Sequence, residues 1–304
     1  MDIKLVINQM AVLFILIAAG YLLFKIKLLT TDGVKTLTKL VVNFTTPCMI
    51  LSSVFGDTSH ITGNSILNFL LLSLLAFALF YVVALPSARV LSNKKENRGL
   101  YCSMIVFGNV GFMGFPVISS IFGEEYVFYA MLFLIIFTLI CFSVGILMIS
   151  GKGGGVDLKL LINASLICAV IAIIILFTRV RIPAVIVSSI ELISKINTPC
   201  AMLVVGATLA TIPVKAVFNN WRLYPLTLIK MIVIPIIVWL VFKPFAADET
   251  LFGLLVVLSG MPIAAIMSMF AIEYGNDERA ASSGIFLTTL LSAATIPLIV
   301  YLLL

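Results

Sequence analysis

Lys230 is a fixed cation near the middle of the apolar run WRLYPLTLIKMIVIPIIVWLVF. A lysine at bilayer centre costs at least about 2.5–3.5 kcal/mol on insertion scales, and as a rule faces a cavity or a partner. Its stem is short for snorkelling from that depth. An anion is the natural complement, either a bound substrate carboxylate or Glu191 approaching in three dimensions. Asn109 is the second group of interest. It stands in Gly108-Asn109-Val110-Gly111, followed by Gly114 and Pro116, at the centre of RGLYCSMIVFGNVGFMGFPVISSIFG. Glycines, an amide and a proline at mid-depth predict an interrupted helix, which is tolerated where it lines a cavity. Helix ends there would offer donors and partial charge to a ligand. Asn43 lies one turn before Pro47, and Asn197 two residues before Pro199. Each can satisfy the carbonyl that a proline frees or turn toward a substrate, and both roles stand open.

The other ionisable groups read as ordinary. Glu191 and Lys195 are four apart in the favourable order for an intrahelical pair, with proton coupling through Glu191 as the lesser alternative. Glu124-Glu125 and Asp277-Glu278 fall at segment ends, where carboxylates cap helices. His60, in a polar connector with Asp57, is expected at the surface, since no metal-binding partners accompany it. The five cysteines (Cys48, Cys102, Cys141, Cys168, Cys200) sit in apolar stretches as small core residues. Neither a metal nor a cofactor is called for. A carboxylate cluster for metal–diphosphate chemistry is lacking, as are paired aspartates at span centres and a P-loop. The chain is therefore expected to be neither an enzyme nor an ATPase.

These groups need a scaffold that composition defines. Of 304 residues, 62% are hydrophobic and 11% charged, with mean hydropathy +1.25, outside the range of soluble domains. The net charge of +6 is spread over short connectors, which fits membrane topology rather than nucleic acid. Ten apolar segments of spanning length fall at approximately 5–24, 33–56, 65–88, 98–121, 124–149, 157–178, 184–211, 217–242, 249–272 and 280–303. The first is read as a span and not a leader, because it is long and basic residues Lys25 and Lys27 follow it. Gly151-Lys152-Gly153-Gly154-Gly155 resembles a linker at the midpoint.

A second interrupted segment, LFGLLVVLSGMPIAAIMSMFAI, centres on Ser259-Gly260-Met261-Pro262. Gly108 and Gly260 are 152 residues apart, and the same offset carries Thr46-Pro47-Cys48 onto Thr198-Pro199-Cys200. Paired interruptions in two halves point to a secondary transporter's binding site. Thirteen Lys and Arg lie on one set of alternate connectors and four on the other, so the crowded side is read as cytoplasmic with both termini outside. Five spans per half then make the repeat inverted.

Ten spans, the Thr-Pro-Cys element in the second span of each half, and breaks in the fourth and ninth resemble the auxin efflux carrier family. Its bacterial members are commonly described as permeases for malate, malonate or similar acids. Asn276-Asp277-Glu278-Arg279-Ala280-Ala281-Ser282-Ser283, Thr288-Thr289-Leu290-Leu291-Ser292 and Thr295-Ile296-Pro297 are also similar to that family. Without a long central loop, the chain is similar to the compact prokaryotic type. The resemblance implies a scaffold of spans 1, 2, 6 and 7, and a transport unit of spans 3–5 and 8–10 in which the broken helices cross. Asn109 and Pro262 match the crossover positions. Met261-Pro262 stands where the first half has Asn109-Val110, so the two breaks are not equivalent.

The expectation is an all-α polytopic membrane protein of two inverted five-helix repeats, 1–150 and 151–304, with broken crossover helices 4 and 9. Its function is read as secondary transport of small organic anions, such as auxin-like or dicarboxylic acids, by elevator-type alternating access. A sodium-coupled symporter of similar architecture, or a non-transporting receptor, is the alternative. Gly108, Asn109, Gly111, Met261, Pro262, Lys230, Asn43 and Asn197 are the candidate substrate-binding residues, with Pro47, Pro199 and Gly260 as kinks. The expected partners are an organic acid, the bilayer and, in a homodimer, a second copy of the chain, but no nucleic acid.

Overall fold

The computed structural model describes residues 3–56, 58, 61–92, 94–151, 164–246 and 248–304. Asp57, His60, linker residues 152–155 and the start of the sixth apolar segment lie outside the described residues. The rest is predominantly helical. Its sole β-type pairing among the described residues is an isolated antiparallel bridge between Gly108 and Ile263.

The first half runs α1 (Ile3–Lys25), α2 (Thr31–Leu40), α3 (Thr46–Ser52), α4 (Gly63–Leu91), α5 (Arg98–Val106), α6 (Phe115–Ile121), α7 (Val127–Ile140) and α8 (Ile146–Ser150). The second half continues with α9 (Ala164–Thr178), α10 (Ala184–Lys195), α11 (Asn197–Ala210), α12 (Val214–Asn219), α13 (Leu223–Leu228), α14 (Ile234–Phe242), α15 (Glu249–Ser259), α16 (Ile266–Glu273) and α17 (Glu278–Leu303). Six continuous stretches are long and apolar enough to cross a membrane: Ile3–Lys25, Gly63–Leu91, Glu124–Ser150, Ala184–Ala210, Leu223–Phe245 and Glu278–Leu303. Val110–Ile121, Ala164–Thr178 and Glu249–Ser259 are shorter apolar helices. The protein is an all-α, multi-pass membrane protein.

Local sequence explains where helices start and bend. Thr62 and Ser65 form a reciprocal cap at the start of α4, and Asp248 and Asp277 accept the first free amides of α15 and α17, as capping requires. Three prolines, Pro47, Pro116 and Pro235, each follow a widened turn: Val41–Thr45, Val110–Gly114 and Ile229–Val233. In each, the residue before proline donates five positions back: Thr46 to Val41, Phe115 to Val110, Ile234 to Ile229. Proline has no N–H and crowds the carbonyl four back, and the π-turn relieves both.

Packing divides the helices into groups. α1 lies chiefly against α11, and α3 against α9 and α10, whereas α4 packs on α5 and α7, and α16 on α17. The α1–α11 crossing is backbone-close: a Cβ on Gly206 would stand 1.8 Å from the Ile17 carbonyl oxygen, and one on Gly20 2.3 Å from that of Leu203. Small residues that let backbones approach are the usual association device in lipid.

Candidate functional site

Two interrupted segments meet at the centre of the fold. α5 ends at Val106 and the chain restarts as a helix at Val110, and α15 ends at Ser259 with helix resuming at Ile266. Between these ends the strands of chain run antiparallel. The Asn109 N–H donates to the Pro262 carbonyl at 2.7 Å, and the Ala264 N–H to the Phe107 carbonyl at 3.0 Å. The Ile263 N–H is satisfied by the Thr288 hydroxyl of α17 at 3.1 Å. Backbone freed from helix at membrane depth is thus paired rather than left open. Gly108 permits the crossing, since a Cβ there would lie 3.1 Å from that of Met261. Phe107 wedges the crossing against Phe137 and Phe77, with ring centroids 5.3 and 6.2 Å away.

Lys230 is carried inward on the widened turn before Pro235, and it is 1% exposed. Its ammonium donates to the Ser259 carbonyl at 3.3 Å and to the Val106 carbonyl at 3.4 Å. These are the last residues of α15 and α5. Its nitrogen also lies 5.6 Å from the centre of the Phe80 ring. The Lys230 nitrogen therefore caps both half-helices at their carbonyl ends, where helix dipoles are negative. Backbone carbonyls have no residue-type signature, so sequence reading had offered only carboxylates as partners. Among the described residues, Lys35–Asp32 is the sole ion pair, so neither Glu191–Lys230 nor the expected Glu191–Lys195 pair forms. Lys195 is exposed, and an exposed i,i+4 pair gains only about 0.3–0.5 kcal/mol.

On the other side of the crossing, Asn109 caps helix 110–121. It is 5% exposed, and its Oδ1 accepts from the Phe112 N–H at 3.4 Å. Its Nδ2 has no partner among the described residues. Gly111 opens onto a cavity of about 280 Å³. The wall combines Val41, Val42 and Thr46 with Phe112, Met131, Leu134, Thr138 and Phe142, and with Ser165 and Ala169 of α9. It is mostly apolar, with three hydroxyls. A Cβ on Gly111 would meet nothing within 4 Å.

The structure thus brings Gly108, Asn109, Gly111, Met261, Pro262, Lys230 and Gly260 together at or beside the crossing. Asn197 is elsewhere. It is fully buried, accepts from the Thr45 and Thr46 hydroxyls at 2.7 and 2.9 Å, and contacts Met49 Sδ at 3.1 Å. Asn43 is exposed and lines no part of the cavity. Thr138, Ser165 and Phe112 escaped sequence reading, because isolated hydroxyls and aromatics in apolar runs carry no pattern. Thr46 was signalled only through the repeated Thr-Pro-Cys.

A multi-pass helical fold built around paired interrupted helices with a cavity beside them is that of a membrane transport protein. The family model described as "Membrane transport protein" matches twice, over residues 5–159 and 155–300, and the chain belongs to this family, that of the auxin efflux carriers. An uncharacterized transporter of Methanocaldococcus jannaschii is 25% identical over 310 residues, covering 98% of this chain and 97% of the relative. An uncharacterized transporter of Methanothermobacter thermautotrophicus is 26% identical over 294 residues, covering 93% and 94%. A Rhizobium meliloti protein named "Putative malonate transporter" is 23% identical over 207 residues, 64% of each chain. The family and the names of these relatives mark a transporter, not an enzyme.

Proposed function

We propose that the chain is a secondary carrier of small organic anions that works by alternating access. The observation that carries this reading is the backbone-paired crossing of two interrupted helices, with a cavity beginning two residues beyond Asn109. Helix 110–121 turns its positive N-terminal end toward that region, where the helix dipole favours an anion. The unpartnered Asn109 amide adds a donor. The mostly apolar wall suits the hydrocarbon body of an acid, while the relative named for malonate brings a small dicarboxylate into consideration.

The ten-span, inverted-repeat architecture belongs to the same proposal. Each half matches the family model separately, and the two breaks stand at equivalent positions. The cavity wall joins residues of α7 to residues of α9 and of the turn before α3. That is the boundary between the proposed moving unit (spans 3–5 and 8–10) and the proposed scaffold (spans 1, 2, 6 and 7). An elevator-type displacement along this boundary would carry the crossing from one side to the other.

The test is uptake of radiolabelled malonate, malate and an arylacetic acid into proteoliposomes, with and without imposed proton or sodium gradients. The expected result is saturable, protein-dependent uptake of at least one acid. Saturable binding without flux would favour a receptor instead.

A further inference from the structure

We propose that Lys230 is a built-in cation: its ammonium fills the place where two converging helix C-termini would otherwise take an alkali-metal ion. The carrier on this view needs no dissolved cation at its crossing. Three features of the position are those of a cation site. Two half-helices, α5 and α15, end there and direct their terminal carbonyls at one point, the Lys230 nitrogen, at 3.4 and 3.3 Å. The Phe80 ring presents its π-system at 5.6 Å, a further cation-attracting surface. Thr227, one turn earlier on the same helix face, buries a hydroxyl that has no hydrogen-bond partner among the described residues.

Interrupted helices in carriers hold sodium ions with unwound carbonyls and half-helix C-termini. Here the same kind of oxygen set is occupied by a group that cannot leave. No carboxylate forms an ion pair with Lys230 among the described residues, so the lysine charge is offset by helix ends and not by a counter-ion. Removing the side chain beyond Cβ leaves converging carbonyl oxygens, an aromatic face and a volume equal to propylammonium. Carbonyls gathered at close quarters are a ligand set for a dehydrated alkali cation.

This inference rests on the carrier reading for its meaning, but its test does not. Thermal unfolding of the detergent-purified parent, Lys230→Ala and Lys230→Met is measured at constant ionic strength. The media are choline chloride, sodium chloride, potassium chloride and propylammonium chloride, with propan-1-ol in choline chloride as the neutral, same-sized control. The parent should unfold at one midpoint in sodium and in choline. Lys230→Ala should unfold earlier in choline, and propylammonium or an alkali cation should raise its midpoint saturably while propan-1-ol does not. Lys230→Met, which fills the volume without charge, should be lowered in choline and rescued weakly.

Equal rescue by propan-1-ol would mean that volume and not charge is missing, and would overturn the proposal. So would a folded Lys230→Ala indifferent to every cation, or a variant that no cation allows to be recovered. A sodium-dependent rise in the parent, lost in both variants, would also overturn it. If no acid is transported yet cation rescue is seen, the carrier reading falls and the built-in cation stands.

Discussion

Two asparagines, both candidates for substrate binding in the sequence, separate sharply by their partners. Asn197 is fully buried and its carbonyl oxygen receives two threonine hydroxyls. Asn109 is buried too, but only its Oδ1 is engaged, by a long bond from Phe112. Removing a buried acceptor strands its donors at about 1–3 kcal/mol, so Asn197→Ala is expected to lower the unfolding midpoint clearly, while flux per folded molecule stays near that of the parent. Asn109→Ala loses a cap of about 0.5–2 kcal/mol, and more importantly the Nδ2 donor two residues before Gly111 of the cavity wall. It is expected to stay folded with flux reduced severalfold. Both variants are measured on the same proteoliposome preparations. Unchanged flux and apparent affinity in Asn109→Ala would leave that asparagine as a helix cap and nothing more.

At the scale of elements, much was legible and the reasons are physical. Spanning length and apolar runs placed α1, α4 and α17 within a few residues of their observed ends. Glycine beside proline at mid-depth located both interruptions, because the two residue types together disfavour helix. What escaped was anything made by backbone or by ordinary apolar side chains. The pair of helix-terminal carbonyls at Lys230 is one such feature, and the Met131 and Leu134 wall of the cavity is another. Their residue types are the same as those facing lipid elsewhere. The π-turns at Val41–Thr45 and Ile229–Val233 also escaped, although Pro47, which follows the first, was a predicted kink. The α1–α11 contact gives the element-scale prediction. A Cβ on Gly206 would stand 1.8 Å from the Ile17 carbonyl oxygen, an unyielding backbone atom. Gly206→Val is therefore expected to force the helices apart and to cost at least the roughly 1–3 kcal/mol typical of overpacking. The readout is the yield of monodisperse protein and its unfolding midpoint. Gly275→Ala is the contrast, because a Cβ there meets nothing within 4 Å and only the φ of +65° resists it. Parent-like behaviour of Gly206→Val would show that the crossing is looser than the structure has it.

For the whole molecule, the connectors themselves argue for the proposed topology. Asn276, before α17, donates to the Ile149 carbonyl at 3.0 Å and the Glu96 carbonyl at 3.4 Å. Three connectors that basic residues assign to one face are thereby tied together. At the opposite end, Gly253 lies beside the side chains of Leu304 and Phe122, which puts the end of α17 with the connectors that carry few basic residues. α1 follows suit: Ile7, Met10 and Phe14 of its first half line one crevice with Ala294 and Pro297 near the end of α17. Beginning and end of the described chain thus lie toward one face, as an even number of crossings demands. With Lys and Arg concentrated on the other face, we propose, from the retention of basic loops in the cytoplasm, that both termini lie outside. Epitope tags fused to each end should then be labelled in intact cells, whereas a cysteine introduced at Lys94 should react only after permeabilisation. Two protected tags with an accessible Lys94→Cys would reverse the orientation and leave the architecture intact. One exposed and one protected tag would mean an odd number of crossings, and the pairing of two five-span halves would have to be abandoned.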